Sequence, residues 1–170
     1  MNFTDLDQLV SWIKTEGWMQ AKNSSGLTMK EILMSEATRL KNIIQDKIQE
    51  YYNSYSPQVY IRTENLLNSL SVDKFVKVNI GDGRLSINID FDEYATATHS
   101  IFGGDTFSDY NRASLINDGW EVKKDVWFRE KEHFGWQDGF DFIGKAIQEF
   151  YADNPYNLKI HVEGFKNNYD

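Results

Sequence analysis

The side chains with the greatest capacity for chemistry in this chain are carboxylates near its middle. Asp90, Asp92 and Glu93 form the densest acidic cluster, and His99 follows them closely. A hard cation such as Mg²⁺ or Ca²⁺ binds to oxygen ligands of this type. However, Asp90 and Asp92 fall on the polar face of a predicted strand, and their spacing is not that of an EF-hand loop. The sequence therefore favours a solvated acidic face over a metal site.

No other group of residues has the spacing of an active site. His99, His133 and His161 are scattered, without an HExxH pair, and no GxSxG elbow or Lys-Ser/Thr phosphate loop occurs. The chain has no cysteine, which excludes a disulfide, a thiolate zinc site and a thiol nucleophile. We therefore predict a protein that is not an enzyme and holds no metal or cofactor. A zinc site at His99 and a metal-dependent hydrolase centred on Asp90, Asp92 and His99 are the alternatives.

Composition describes an acidic globular protein. The 170 residues include 18 Lys+Arg and 26 Asp+Glu, which gives a net charge of −8 and argues against binding to nucleic-acid phosphates. The length predicts one domain over residues 1–170, and the hydrophobic fraction of 41% predicts that it is globular. Within it, residues 1–26 form an N-terminal helix and linker that suit a docking arm, and residues 27–170 form the core. Neither a secretory signal nor an 18-residue apolar run is present, so we expect no membrane partner.

Helical periodicity occurs in three places. A short first helix is predicted over Asp5–Trp18. A long second helix begins at a capping box made by Thr28 and Glu31, and ends before Pro57. Its apolar stripe is predicted from intervals of three and four residues, at Met29, Leu33, Ala37, Leu40, Ile44, Ile48 and Tyr51. A third amphipathic helix runs from Phe142 and ends near Asn154-Pro155.

Alternation of apolar and polar residues predicts the strands. Val76–Ile80 and Leu85–Phe91 flank a Gly81-Asp82-Gly83 turn and read as a hairpin. Further strands are predicted over Trp120–Phe128 and Leu158–Val162, with Gly135–Gly139 as a turn. Residues 92–115 read as a long loop. The fold class predicted is α+β, with an antiparallel sheet of about four strands packed against a long N-terminal helix and a C-terminal helix.

Aromatic residues make up 15% of the chain and are dense between Trp120 and Phe140. Packing in the core is one interpretation, and an interaction surface is the other, because Trp and Tyr are enriched at interface hot spots. Trp127 falls on the opposite face from Val126 and Phe128, which favours a partner. The residues predicted to contact a partner are Arg62, Phe107, Tyr110, Trp120, Trp127 and Trp136.

Residues 60–70 read Tyr-Ile-Arg-Thr-Glu-Asn-Leu-Leu-Asn-Ser-Leu. Independently of any family, Thr63 is suited to capping a short helix whose leucines face the core. The segment also resembles the Thr-Gly-x-Leu-x-x-Ser-Ile/Leu signature of tail-completion and head–tail joining proteins of tailed bacteriophages, with Glu64 at the glycine position. The matching residues are Thr63, Leu66, Ser69 and Leu70. The order of surrounding elements, from about Leu27 to Val162, is similar as well.

The resemblance implies a mechanical function. Such proteins are ring-forming, usually sixfold, and lie between the portal side of the head and the tail tube, as tail terminators do. The expected partners are further copies of the chain, portal-side connector proteins and the tail tube protein. DNA passes through the ring without specific binding, and a negative lumen repels its phosphates. The protein would be made in the host cytoplasm and reside in the virion. An acidic immunity or inhibitor protein that binds a basic protein partner is the alternative.

Overall fold

The computed structural model describes Gly17 and residues 22–54, 65–79, 84–92, 112–122 and 135–166. These residues contain helices and short antiparallel strands, which confirms the α+β class. The chain groups into two compact units: residues 1–41 with 72–90, and residues 42–71 with 91–170. The prediction that residues 1–170 form one domain stays a prediction. The predicted first helix lies outside the described residues apart from Gly17, which is buried.

The long helix is α1, Met29–Asn53, and its 25 residues extend over about 38 Å. It begins as predicted: Thr28 donates from its backbone N–H to Glu31 Oε2 at 2.8 Å, and the Glu31 N–H donates to Thr28 Oγ1 at 3.3 Å. The predicted apolar stripe is wrong at its first residue. Met29 is 41% exposed, and the buried residues on α1 are Ile32, Ala37, Leu40, Ile43, Ile44, Ile48 and Tyr52.

Short elements follow α1 in an order that the sequence only partly predicted. A one-turn helix, α2, covers Asn65–Asn68, and strands β1 and β2 cover Leu70–Val72 and Lys77–Asn79. Strands β3 and β4 cover Arg84–Ser86 and Ile89–Phe91. The predicted second arm of the hairpin is therefore two strands with different partners. β3 pairs antiparallel with β2, whereas β4 pairs with β1.

The remaining elements lie beyond the predicted long loop. Helix α3 covers Arg112–Asp118, strands β5 and β6 cover Gly119–Val122 and Gly135–Asp138, and helix α4 covers Phe142–Ala152. The interpretation of residues 92–115 as a loop is wrong for its last four residues, which are helical. The predicted turn at Gly135–Gly139 is also wrong, because β6 pairs antiparallel with β5 there. Residues 158–162, predicted as a strand, form none.

The predicted sheet of about four strands is wrong. The strands in the described part of the chain form two-stranded antiparallel pairs, β1 with β4, β2 with β3 and β5 with β6. Each strand is three or four residues long, and a pair of that size is marginal without packing on one face. Apolar side chains of the helices supply the core of each unit. In the second unit, the rings of Phe91, Phe142 and Phe165 meet edge to face at centroid distances of 6.1–6.3 Å.

Candidate interaction sites

The segment that carries the family resemblance is a tightly anchored turn of helix followed by a strand. Leu66 in α2 is fully buried, and Leu70 at the start of β1 is 4% exposed. The Ser69 hydroxyl donates to the Leu66 carbonyl oxygen at 2.7 Å, which satisfies a buried polar group at the helix end. Three of the four matching residues are therefore buried, and Thr63, the fourth, lies outside the described residues.

Two further hydrogen bonds fix this segment to its neighbours in the second unit. Gln45 of α1 donates from Nε2 to the Leu67 carbonyl oxygen at 3.0 Å. The backbone N–H of Asp92 donates to the Ser69 carbonyl oxygen at 2.9 Å, at the end of the β1–β4 pair. Both contacts satisfy carbonyl oxygens at or just after the carboxyl end of α2, where carbonyl groups have no intrahelical partner. The motif positions are thus arranged to hold the backbone rather than to present reactive groups.

An aromatic side chain stands exposed where β1 turns into β2. Phe75 is 75% exposed, the highest exposure among the large hydrophobic residues of the described chain. The turn is anchored at its first residue, because the Asp73 N–H donates to the Asn88 carbonyl oxygen at 2.9 Å. We call residues 73–77 the Phe75 tip. Contact with a partner that removes the Phe75 side chain from water is favourable in free energy.

The Phe75 tip is basic within an acidic protein. Residues 73–77 contain Lys74 and Lys77 against Asp73, so their net charge is 2 − 1 = +1, compared with −8 for the chain. Lys74 is exposed, and Lys77 Nζ lies 3.5 Å from Asp73 Oδ2 with 61% of its side chain exposed. An exposed pair of this kind is weak, because water screens both charges. Lys77 therefore remains available to a second acidic group.

Two tyrosines and three acidic residues are exposed around the carboxyl end of α4. Tyr151 and Tyr156 are each 41% exposed. The Tyr151 hydroxyl accepts a hydrogen bond from the Ile160 N–H at 3.0 Å, and the Asn154 side chain pairs with both backbone groups of Leu158. These bonds hold the segment after α4 against the helix end. We call this surface the Tyr151 patch; it comprises Glu149, Tyr151, Asp153, Tyr156 and Glu163.

The electrostatics of the Tyr151 patch are negative. Residues 149–163 contain three acidic residues and one lysine, a net charge of 1 − 3 = −2. The last turn of α4 has no basic side chain, so the partial negative charge of its terminal carbonyl groups is not offset within the helix. A cation is the group that such a helix end stabilises.

Glu149 also ties α4 to α1. Lys47 Nζ lies 2.8 Å from Glu149 Oε2 and 2.7 Å from Glu50 Oε1, with 16% of the lysine side chain exposed. The hydrogen bond to Glu149, followed by that to Glu50, raises the pKa of Lys47 above its ordinary value. Lys47 is therefore a structural cation held between two carboxylates.

A buried amide organises the approach to α4. Asn117, 1% exposed, accepts at Oδ1 from the Ile143 N–H at 2.8 Å, and its carbonyl oxygen accepts from the Asp141 N–H at 2.9 Å. Asp141, in the left-handed region with φ 53°, caps α4 by accepting from the Gly144 N–H. A Cβ at position 139 would collide with the Asn117 carbonyl oxygen, so the close approach of the two backbones requires glycine there.

Of the six interface residues predicted from sequence, the structure describes the backbone of two, so the predicted interface stays a prediction. Arg62, Phe107, Tyr110 and Trp127 lie outside the described residues. Trp120 lies in β5 and Trp136 in β6, at neighbouring rungs of one ladder, where Trp120 pairs with Gln137 and Trp136 with Glu121. Their side chains lie outside the described part of the chain. Phe75 was not among the predicted interface residues, although in the alternating pattern it shares the odd positions with Lys77 and Asn79, opposite the apolar Val76 and Val78.

The acidic cluster of Asp90, Asp92 and Glu93 is only partly described. Asp90 and Asp92 are exposed, and Glu93 and His99 lie outside the described residues. Across the described ranges, no three His, Asp or Glu side chains lie close enough together to hold a metal ion. No helix in those ranges is long and apolar enough to cross a membrane. The chain matches no protein-family model, no curated protein and no solved structure.

Proposed function

We propose that this chain is a structural protein of a tailed-phage neck, a ring-forming tail-completion or head–tail joining protein through which DNA passes. The observation that best supports the proposal is the burial of the motif residues. Leu66, Ser69 and Leu70 match the family signature, and each is buried, with the serine bonded to the carbonyl of the first leucine. A motif used in this way preserves a backbone shape, which suits a protein whose function is mechanical.

The order of elements supports the same proposal. A long helix precedes the motif, a hairpin follows it, and the paired strands β5 and β6 contain Trp120 and Trp136. The last described helix, α4, ends at Ala152, just before Asn154-Pro155. This is the order that the resemblance implies for family members, from the long helix to the helix that closes the domain.

Surface chemistry is also consistent with an assembly protein. The aromatic Phe75 tip and the Tyr151 patch are exposed groups of the kind that become buried at protein interfaces. The net charge of −8 opposes adhesion to DNA phosphates, as a lumen that DNA must traverse requires. The alternative, an acidic inhibitor of a basic protein, uses the same charge but needs no ring.

Reconstruction of the purified virion tests the proposal. The expected result is density for this chain in the neck, as a ring whose copy number follows the symmetry of the tail. Infection with a phage that lacks this protein should produce filled heads and separate tails instead of complete virions. Absence of the chain from purified particles, or its position outside the neck, overturns the proposal. A one-to-one complex with one basic host or phage protein would favour the inhibitor.

A further inference from the structure

The Phe75 tip and the Tyr151 patch are complementary in both of the properties that govern association. Each presents an aromatic group to solvent, with Phe75 75% exposed and Tyr151 and Tyr156 each 41% exposed. Their charges are opposite, at +1 for residues 73–77 and −2 for residues 149–163. Apolar burial supplies attraction, and opposite charge supplies orientation and a faster encounter.

We propose that the Phe75 tip of one copy docks on the Tyr151 patch of a second copy of this chain. Phe75 packs against Tyr151 and Tyr156, whereas Lys74 and Lys77 approach the carboxylates of Asp153 and Glu163. The carboxyl end of α4 takes part, because its terminal carbonyl groups have no basic side chain in the last turn to offset them. A lysine from the neighbouring copy supplies that charge.

The geometry of such a contact determines the kind of assembly. Because the two surfaces are different, each copy can give its tip to one neighbour and its patch to another. A head-to-tail contact of this type closes into a ring when the rotation between copies is a fraction of a full turn. The ring itself rests on the proposed neck function. The docking adds the residues that would join adjacent copies.

The first test measures self-association of the full chain by analytical ultracentrifugation at low and moderate salt. Phe75→Ser is expected to weaken association at least tenfold, because it removes the aromatic anchor. Lys74→Glu with Lys77→Glu should weaken it to a similar extent and remove most of its salt dependence. Leu27→Ser, which changes a residue 39% exposed elsewhere on the chain, is the matched control and should leave association unchanged.

A charge exchange makes the test specific. The Lys74→Glu, Lys77→Glu chain carries a reversed tip, and an Asp153→Lys, Glu163→Lys chain carries a reversed patch. Combining all four substitutions in one chain should restore self-association, since the tip and patch are again opposite in charge. The melting temperature of each variant reports folding, so that an unfolded variant is not scored as a lost contact.

Because the chain has no cysteine, a disulfide reports the contact directly. A chain with Phe75→Cys and Tyr156→Cys should form intermolecular disulfides under mild oxidation, and Leu27→Cys with Tyr156→Cys should not. The same pair of cysteines introduced in the phage tests the contact in the particle.

Three results would overturn the proposed docking: failure of the crosslink both in solution and in the particle, failure of the charge exchange to restore association, or tip-dependent binding to anionic vesicles without self-association. If these tests fail but the chain is still found in the virion neck, only the proposed docking is wrong. If the crosslink forms but the chain is absent from virions, the proposed neck function is wrong instead.

Discussion

The buried side chain of Asn117 accepts the backbone N–H of Ile143, 26 residues later, at 2.8 Å. This bond satisfies one of the free donors in the first turn of α4, next to the cap that Asp141 provides. The Asn117 side chain therefore supplements the local cap at the start of α4. It also makes the position of α4 depend on α3.

Replacing Asn117 should therefore destabilise the protein. In Asn117→Ala the Ile143 N–H loses its acceptor inside a buried junction, and we expect a loss of about 1–3 kcal/mol in the free energy of unfolding, measured by urea denaturation. Asn68→Ala, at an exposed position, is the control and should change stability by less than about 0.5 kcal/mol. Equal effects of the two substitutions would contradict the assigned role of Asn117.

Two adjacent leucines in the motif should differ in their contribution to stability. Leu66 is fully buried, whereas Leu67 is half-buried, so that truncation leaves a cavity only at the first. Leu66→Ala should cost about 2–5 kcal/mol in unfolding free energy, and Leu67→Ala clearly less. Chemical denaturation of both variants gives the comparison. A larger loss at Leu67 would show that the core lies on the other side of α2.

The contribution of Lys47 should depend on alkaline pH. Its pKa is raised from 10.5 by hydrogen bonds to Glu149 and Glu50, so its stabilisation is fully present below 10.5 and is lost as pH rises through the folded-state pKa. Lys47→Met should cost about 0.5–1 kcal/mol near neutral pH. The difference from the parent chain should shrink above pH 10.5. Lys30→Met, at an exposed position on the same helix, should show no such trend; a constant gap for Lys47→Met would contradict the pairing.

The capping box should be visible in the titration of Glu31. Hydrogen bonds from the Thr28 backbone N–H and then from its hydroxyl lower the pKa of this carboxyl. The linked stability is present above the ordinary carboxyl pKa of 4.5 and is lost as pH falls through the lowered one. Thr28→Val keeps the shape but removes the hydroxyl, and NMR should show the Glu31 pKa rising. Thr38→Val, whose hydroxyl bonds only to the Met34 carbonyl in the same helix, should leave it unchanged.

The start of α1 was predictable because its signals are local. Thr28 and Glu31 are three residues apart, and the hydrogen bonds that join them need no other part of the chain. The buried stripe was harder to predict, since periodicity alone does not say where the stripe meets the core. Ile32 and Tyr52 are buried while Met29 is exposed. The elements that pack against the helix determine which of its residues are buried.

The strands show why pairing is less predictable than alternation. The apolar residues of Leu85–Phe91 predicted one continuous strand, but β3 and β4 are separated there and pair with different strands. β1 was missed because three residues, Leu70–Val72, give too short a pattern, and their partner lies about 20 residues away. Phe75 lies in the turn between β1 and β2 and is 75% exposed there, and a turn that depends on this pairing could not be predicted either.

The edge-to-face cluster of Phe91, Phe142 and Phe165 has a consequence for synthesis on the ribosome. The first and last rings are 165 − 91 = 74 residues apart, so the cluster cannot form until long after β4 has emerged. At about 5–20 residues per second, that interval is about 4–15 s. During this time Phe91 and then Phe142 lack their final neighbour, and a chaperone has its longest opportunity to bind. Closure of this long loop costs conformational entropy, so we expect the aromatic cluster to form in a late step of folding.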